Sequence, residues 1–151
     1  MFALSSSWPP RQLWFTLDRG DSFVTDPVVA DGLAVFGSRE GTIFARDLND
    51  GTDGWKRHVG GHLLASPAVA HSVAYFPCMD NNVYAINTAT GISPWITHLP
   101  GFLDFTPLIM KNHLLIPAGN VGLFSLSLKT GLRQWGPVSN GFRVVGRKGG
   151  E

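Results

Sequence analysis

Trp55, Trp95 and Trp135 stand 40 residues apart, and the sequence around each repeats in one register. Gly51, Gly91 and Gly131 precede the tryptophans by four residues. Pro27, Pro67 and Pro107 keep the interval, as do the aromatics Phe44, Tyr84 and Phe124. No insertion or deletion breaks the alignment from Pro27 to Trp135. A fixed period of this length demands units that each bury an apolar face against the next. It constrains architecture strongly and activity hardly at all.

Inside one period, residues 64–99, short apolar runs alternate with turn signals. Leu64–Ala70, opened by Pro67, reads as a first strand, since proline is tolerated at a strand start. Val73–Phe76 is a second, and Met79-Asp80-Asn81 a tight hairpin turn. Asn82–Asn87 alternates polar and apolar as a half-buried strand does. Gly91 closes the next turn, and Ile92–Leu99 supplies a fourth strand carrying Trp95. The periods before and after read the same way, and no stretch has a helical period. Four short antiparallel strands per 40-residue unit predict an all-β chain built as a partial β-propeller of about three blades. The blades are expected over 18–58, 59–98 and 99–138. Strand remnants are expected over 11–17, where Arg11-Gln12-Leu13-Trp14 echoes Leu132-Arg133-Gln134-Trp135, and over 139–147, where Gly141-Phe142 aligns with Gly101-Phe102.

Composition narrows the function classes. Charged residues make up 15% of the chain, against about 25% in an ordinary domain. Net charge is +1, without the basic stripe that nucleic-acid binding needs. Cys78 is the sole cysteine, which excludes an internal disulfide or a cysteine-based zinc cluster. It aligns with Ser38 and Ala118, so a small packed side chain is expected. No apolar run reaches the ~18 residues of a membrane span, and Met1–Ser5 lacks a signal peptide's charged start. The compartment stays open, as does the question of whether the chain is a piece of a longer one.

The spacing within each unit resembles the tryptophan-docking motif of pyrroloquinoline-quinone-type (PQQ-like) propeller repeats. Ala85-x-Asn87-x-x-Thr90-Gly91-x-x-x-Trp95 matches that motif position for position. Ala45-x-Asp47-x-x-Asp50-Gly51-x-x-x-Trp55 has Asp in place of Thr, and Ser125-x-Ser127-x-x-Thr130-Gly131-x-x-x-Trp135 departs at its first two positions. The likeness covers residues 11–146. It implies that the tryptophans wedge between blades and serve packing, not chemistry. Many propellers of this family recognise proteins, and they are often extracytoplasmic. One branch holds the quinone with calcium, an adjacent cysteine pair and an aspartate base in an eight-bladed ring.

That enzyme branch fits poorly here, with one cysteine and too few blades. Glu40, Asp80 and Asn120 align across the repeats but occupy tight turns, where such side chains are favoured for backbone reasons. His58 and His98 recur one period apart with Val138 in the third place, whereas His62, His71 and His113 follow no pattern. Ser66 and Thr106 precede the strand prolines, with Asp26 in the third copy, and form no nucleophile–base set. No catalytic, cofactor-binding or metal-ligating residue is assigned, and no cofactor. The sequence therefore predicts a protein-binding or scaffold module. The alternatives are a structural subunit of a larger assembly and a fragment of a quinoprotein dehydrogenase.

An arc of three blades is expected to leave two faces bare. If each exposes ~400 Å² of apolar surface, wetting it forfeits about 10 kcal/mol at ~25 cal/mol/Å². That rivals a whole domain's stability of roughly 5–15 kcal/mol. Closure by self-association, two chains making six blades, or by a larger propeller partner is therefore expected.

Overall fold

The computed structural model describes residues 20–139, together with the backbone of strands Phe2–Leu4 and Gln12–Phe15. Three four-stranded antiparallel sheets follow one another along the chain, each a simple up-and-down meander. The first comprises β3 (Val28–Ala30), β4 (Leu33–Gly37), β5 (Thr42–Asp47) and β6 (Asp53–His58). The second comprises β7 (Ala68–Ala70), β8 (Val73–Pro77), β9 (Asn82–Asn87) and β10 (Trp95–His98). The third comprises β11 (Leu108–Met110), β12 (His113–Ala118), β13 (Gly122–Ser127) and β14 (Arg133–Val138). The chain is an all-β, partial propeller. No helix among the described residues is long and apolar enough to cross a membrane.

Two strands are shorter than the sequence suggested. β7 starts after Pro67, and β10 starts after Pro94, because proline has no N–H to give the ladder. Next to Pro94, the Ser93 hydroxyl donates instead to the Ala85 carbonyl at 2.7 Å. A further two-stranded sheet pairs β1 (Phe2–Leu4) with β2 (Gln12–Phe15). β2 falls inside the expected remnant 11–17, while its partner lies in a stretch that carries no repeat signal. The expected remnant at 139–147 lies, beyond Ser139, outside the described residues.

The sheets stack face to face because alternate residues of each central strand are apolar on both sides. Val35, Ile43 and Ala45 of the first sheet pack on Ala74, Phe76, Tyr84 and Ile86 of the second. Tyr75, Val83 and Ala85 on the second sheet's other face pack on Leu114, Ile116, Phe124 and Leu126 of the third. The innermost strand β7 touches both β3 and β11, so the short inner strands adjoin around a common axis. Leu63 and Leu103, one period apart in the connecting loops, are fully buried, one in each interface.

The sequence led us to expect both outer faces to be bare, and one is not. Phe36 and Phe44, which point away from the second sheet, are 0% and 1% exposed. Phe23 packs edge-on against both rings, at 5.2 and 5.6 Å, and takes the place that Leu63 and Leu103 hold in the later units. Lys56 Nζ sits 5.2 Å from the centre of the Phe44 ring and adds a cation–π contact.

Candidate functional site

The surfaces between blades carry most of the distinctive geometry, and it begins in the turns before the tryptophans. Asp47 Oδ1 accepts from the Asn49 amide (2.8 Å) and Asn87 Oδ1 from the Ala89 amide (2.9 Å). Ser127 Oγ accepts from the Thr130 amide at 3.3 Å. Three residues further on, Asp50, Thr90 and Thr130 accept from the amides of Thr52, Ile92 and Leu132. The motif therefore needs an oxygen at each position, not one residue type, and Asp50 replaces Thr without loss. The glycine after it takes φ +74 at Gly51, +77 at Gly91 and +73 at Gly131, where a side chain is strained.

Each turn then meets the preceding blade's indole. The Trp55 Nε1–H donates to the Thr88 carbonyl at 2.9 Å, and the Trp95 Nε1–H to the Leu128 carbonyl at 3.0 Å. A Cβ placed on Gly91 would stand 2.8 Å from Cδ2 of Trp55, so the ring lies flat on the glycine backbone. Beside the rings, Arg57 Nη1 donates to the Gly91 carbonyl (3.3 Å) and Thr97 Oγ1 to the Gly131 carbonyl (2.6 Å).

Trp135 has no such partner among the described residues. Its cross-strand row, Leu108–Leu115–Ser125–Trp135, repeats the rows Val28–Val35–Ala45–Trp55 and Ala68–Tyr75–Ala85–Trp95. In the earlier rows the two central residues are buried. In the last row Ser125 is also buried but Leu115 only partly so, and at the ends of the row Leu108 is 57% and Trp135 41% exposed. Met110, His113, Leu115 and Trp135 line a shallow, apolar hollow on this face.

The remaining residues singled out from the sequence serve local structure. Glu40 accepts from the Ser22 amide, an interaction that lowers its pKa. Burial pushes the Asp80 carboxyl up, but hydrogen bonds from Tyr84, Asn82 and Cys78 outweigh it and hold the group below its ordinary range. A lowered pKa means stability present above the ordinary carboxyl value and lost as pH falls through the native one. Chemical denaturation should therefore show stability falling below about pH 4, with a shallower acid slope in Tyr84→Phe. Asn120 lies exposed in the third turn.

Among the histidines, His58 pairs with Thr42 Oγ1 at 3.0 Å, His62 donates to the Arg39 carbonyl at 2.7 Å, and His113 meets Ser125 Oγ at 3.0 Å. His98 is exposed. Ser66 Oγ accepts from the Asp26 amide at 2.8 Å, tying the first and second units through their aligned positions. No group of three or more His, Cys, Asp or Glu among the described residues is placed to hold a metal ion. The turn carboxylates of Glu40 and Asp80 are engaged, Glu40 by the Ser22 amide and Asp80 by the Asn82 amide and the Tyr84 hydroxyl. Cys78 is fully buried, and burial pushes its thiol up to about 12. Iodoacetamide at pH 8 should leave the native protein unlabelled and modify it fully in denaturant, read by mass spectrometry.

One contact gave no warning in the sequence. Asp31, in the β3–β4 turn, reaches across the first interface to accept from Ser72 Oγ (3.2 Å) and Thr88 Oγ1 (2.5 Å). Its signal is confined to one repeat, where the aligned residues are His71 and Lys111.

Comparison with solved structures yields the same fold. BamB from Moraxella catarrhalis superposes with a TM-score of 0.70 at 20% identity, over 82% of this chain and 39% of that one. The quinohemoprotein alcohol dehydrogenase ADHIIG from Pseudomonas putida HK5 gives 0.70 at 20% identity, over 82% of this chain and 22% of its own. The computationally designed Ika8 protein gives 0.71 at 14% identity, over 85% and 40%. The chain thus spans less than half the length of each of these three. No curated protein matches it in sequence. Residues 9–140 match the model of the PQQ-like repeat family described as "Outer membrane protein assembly factor BamB", and the chain belongs to that family.

Proposed function

We propose that the chain acts as a protein-binding scaffold within a larger propeller, and that the outer face of its third sheet receives a further blade of the same repeat. The observation that carries this reading is the Leu108–Leu115–Ser125–Trp135 row, which matches two rows packed between sheets but leaves Leu108 and Trp135 exposed. An occupant suited to Trp135 offers a glycine at positive φ beneath the ring and a carbonyl for the indole N–H. Gly91 with Thr88, and Gly131 with Leu128, supply this pair to the earlier tryptophans. On this reading the three tryptophans are docking residues, and the blades fall at 18–58, 59–98 and 99–138. The added blade comes from a second copy or from further blades outside this segment. Membership of a family described as an assembly factor supports recognition over catalysis. The dehydrogenase reading has the fold alone behind it, at 20% identity.

Light scattering of the chain at micromolar concentration tests the reading. The expected result is self-association, either a discrete dimer or heterogeneous assembly. Leu115→Glu should suppress it, because a charge would then be buried at the joint. A chain that stays at 16.4 kDa throughout the micromolar range would overturn it.

A further inference from the structure

The repeat allows the two described interfaces to be compared residue by residue. At the first, the Asp31 carboxylate, on an exposed turn, bridges the two sheets through the hydroxyls of Ser72 and Thr88, and Thr88 is fully buried. One period later those three positions are His71, Asn112 and Leu128. No carboxylate is there. All three residues instead line an open cleft of about 590 Å³ between the second and third sheets. Val73, Tyr75 and Leu128 form its apolar floor, with His71, Asn112 and Lys129 at the polar rim. The Leu128 carbonyl is taken by the Trp95 indole and the Tyr75 hydroxyl (3.4 Å). The side chains of His71, Asn112 and Lys129 have no hydrogen-bond partner among the described residues, so an imidazole, an amide and an ammonium remain free to donate. A cleft of this volume, largely apolar with a few polar groups along its edge, suits a small organic ligand.

We propose that this cleft binds a small organic acid with an apolar body, its carboxylate standing where the Asp31 carboxylate stands one interface earlier. Lys129 supplies the charge, and Asn112 and His71 supply the donors that Ser72 and Thr88 supply to Asp31. The apolar floor takes the body of the ligand and excludes a bare inorganic anion.

Phenylacetate and its neutral isostere phenylacetamide, titrated into the ¹⁵N-labelled full chain and followed by amide chemical shifts, test this. Phenylacetate should bind saturably, with shifts centred on His71, Asn112 and Lys129. Phenylacetamide and the Lys129→Ala variant should each bind about tenfold more weakly, as expected for a lost charge-assisted contact. His71→Asp should abolish binding by putting a carboxylate back into the cleft. The left-handed backbone there (φ 51) suits aspartate, as Asp31 shows at φ 54, so this variant should fold. A wild-type chain that phenylacetate does not saturate would overturn the proposal. So would equal affinity for the amide, or a folded His71→Asp chain that binds as the wild type does.

Discussion

Replacing Gly91 by alanine is expected to cost about 2–4 kcal/mol, through two effects at one atom. Its φ of +77 places the backbone where a Cβ is strained, a cost of about 1–2 kcal/mol. The added methyl would also meet Cδ2 and Cε3 of Trp55 at 2.8 Å, pushing the ring off the turn. Gly32 separates the two effects. It has nearly the same φ, +73, but nothing within 4 Å of an added Cβ. Gly32→Ala should therefore cost only the strain, about 1–2 kcal/mol, and leave Trp55 fluorescence unchanged. Equal costs in urea titrations of the two variants would show that the indole does not rest on Gly91.

The second large effect concerns the tryptophans themselves. Trp55→Ala and Trp95→Ala each remove a half-buried ring and the hydrogen bond its N–H gave to a carbonyl of the next sheet, Thr88 or Leu128. Each should cost about 3 kcal/mol, lowering Tm by roughly 6–12 °C. Trp135→Ala removes a ring of the same size, 41% exposed and without a further sheet against it among the described residues. In the unassembled chain its cost should stay below about 1 kcal/mol. Once a further blade docks, the cost should rise to that of its two counterparts. Three identical substitutions thus differ only through what lies opposite them. If Trp135→Ala were as costly as the others in a monomer, its face would already be covered.

Much of this was legible in the sequence because a fixed period converts one strand assignment into three. The glycine-to-tryptophan spacing placed each indole on a fourth strand, but Asn82–Asn87, expected to be half-buried, has its four central residues buried because a sheet lies on each side of β9. Ends of strands were less readable. Pro67 and Pro94 each fix where hydrogen bonding begins, whereas apolar content spreads over both sides of them. β1 went unseen because Phe2–Leu4 belongs to no repeat. Both outer faces were expected bare, yet on the first sheet Phe23 closes over Phe36 and Phe44 from the connecting loop. Asp31 shows the deeper limit. Its partners Ser72 and Thr88 come from the next unit, and an interaction made at one interface but not the other leaves no periodic trace.

Three indole protons report on the arrangement most directly. Hydrogen exchange of the tryptophan Nε1–H groups, followed by NMR on dilute protein, reads each docking contact separately. Trp55 and Trp95 should exchange slowly, held by the Thr88 and Leu128 carbonyls, while Trp135 exchanges fast and slows only as the protein assembles. Three equally fast protons, or a Trp135 proton protected in a lone monomer, would contradict the account.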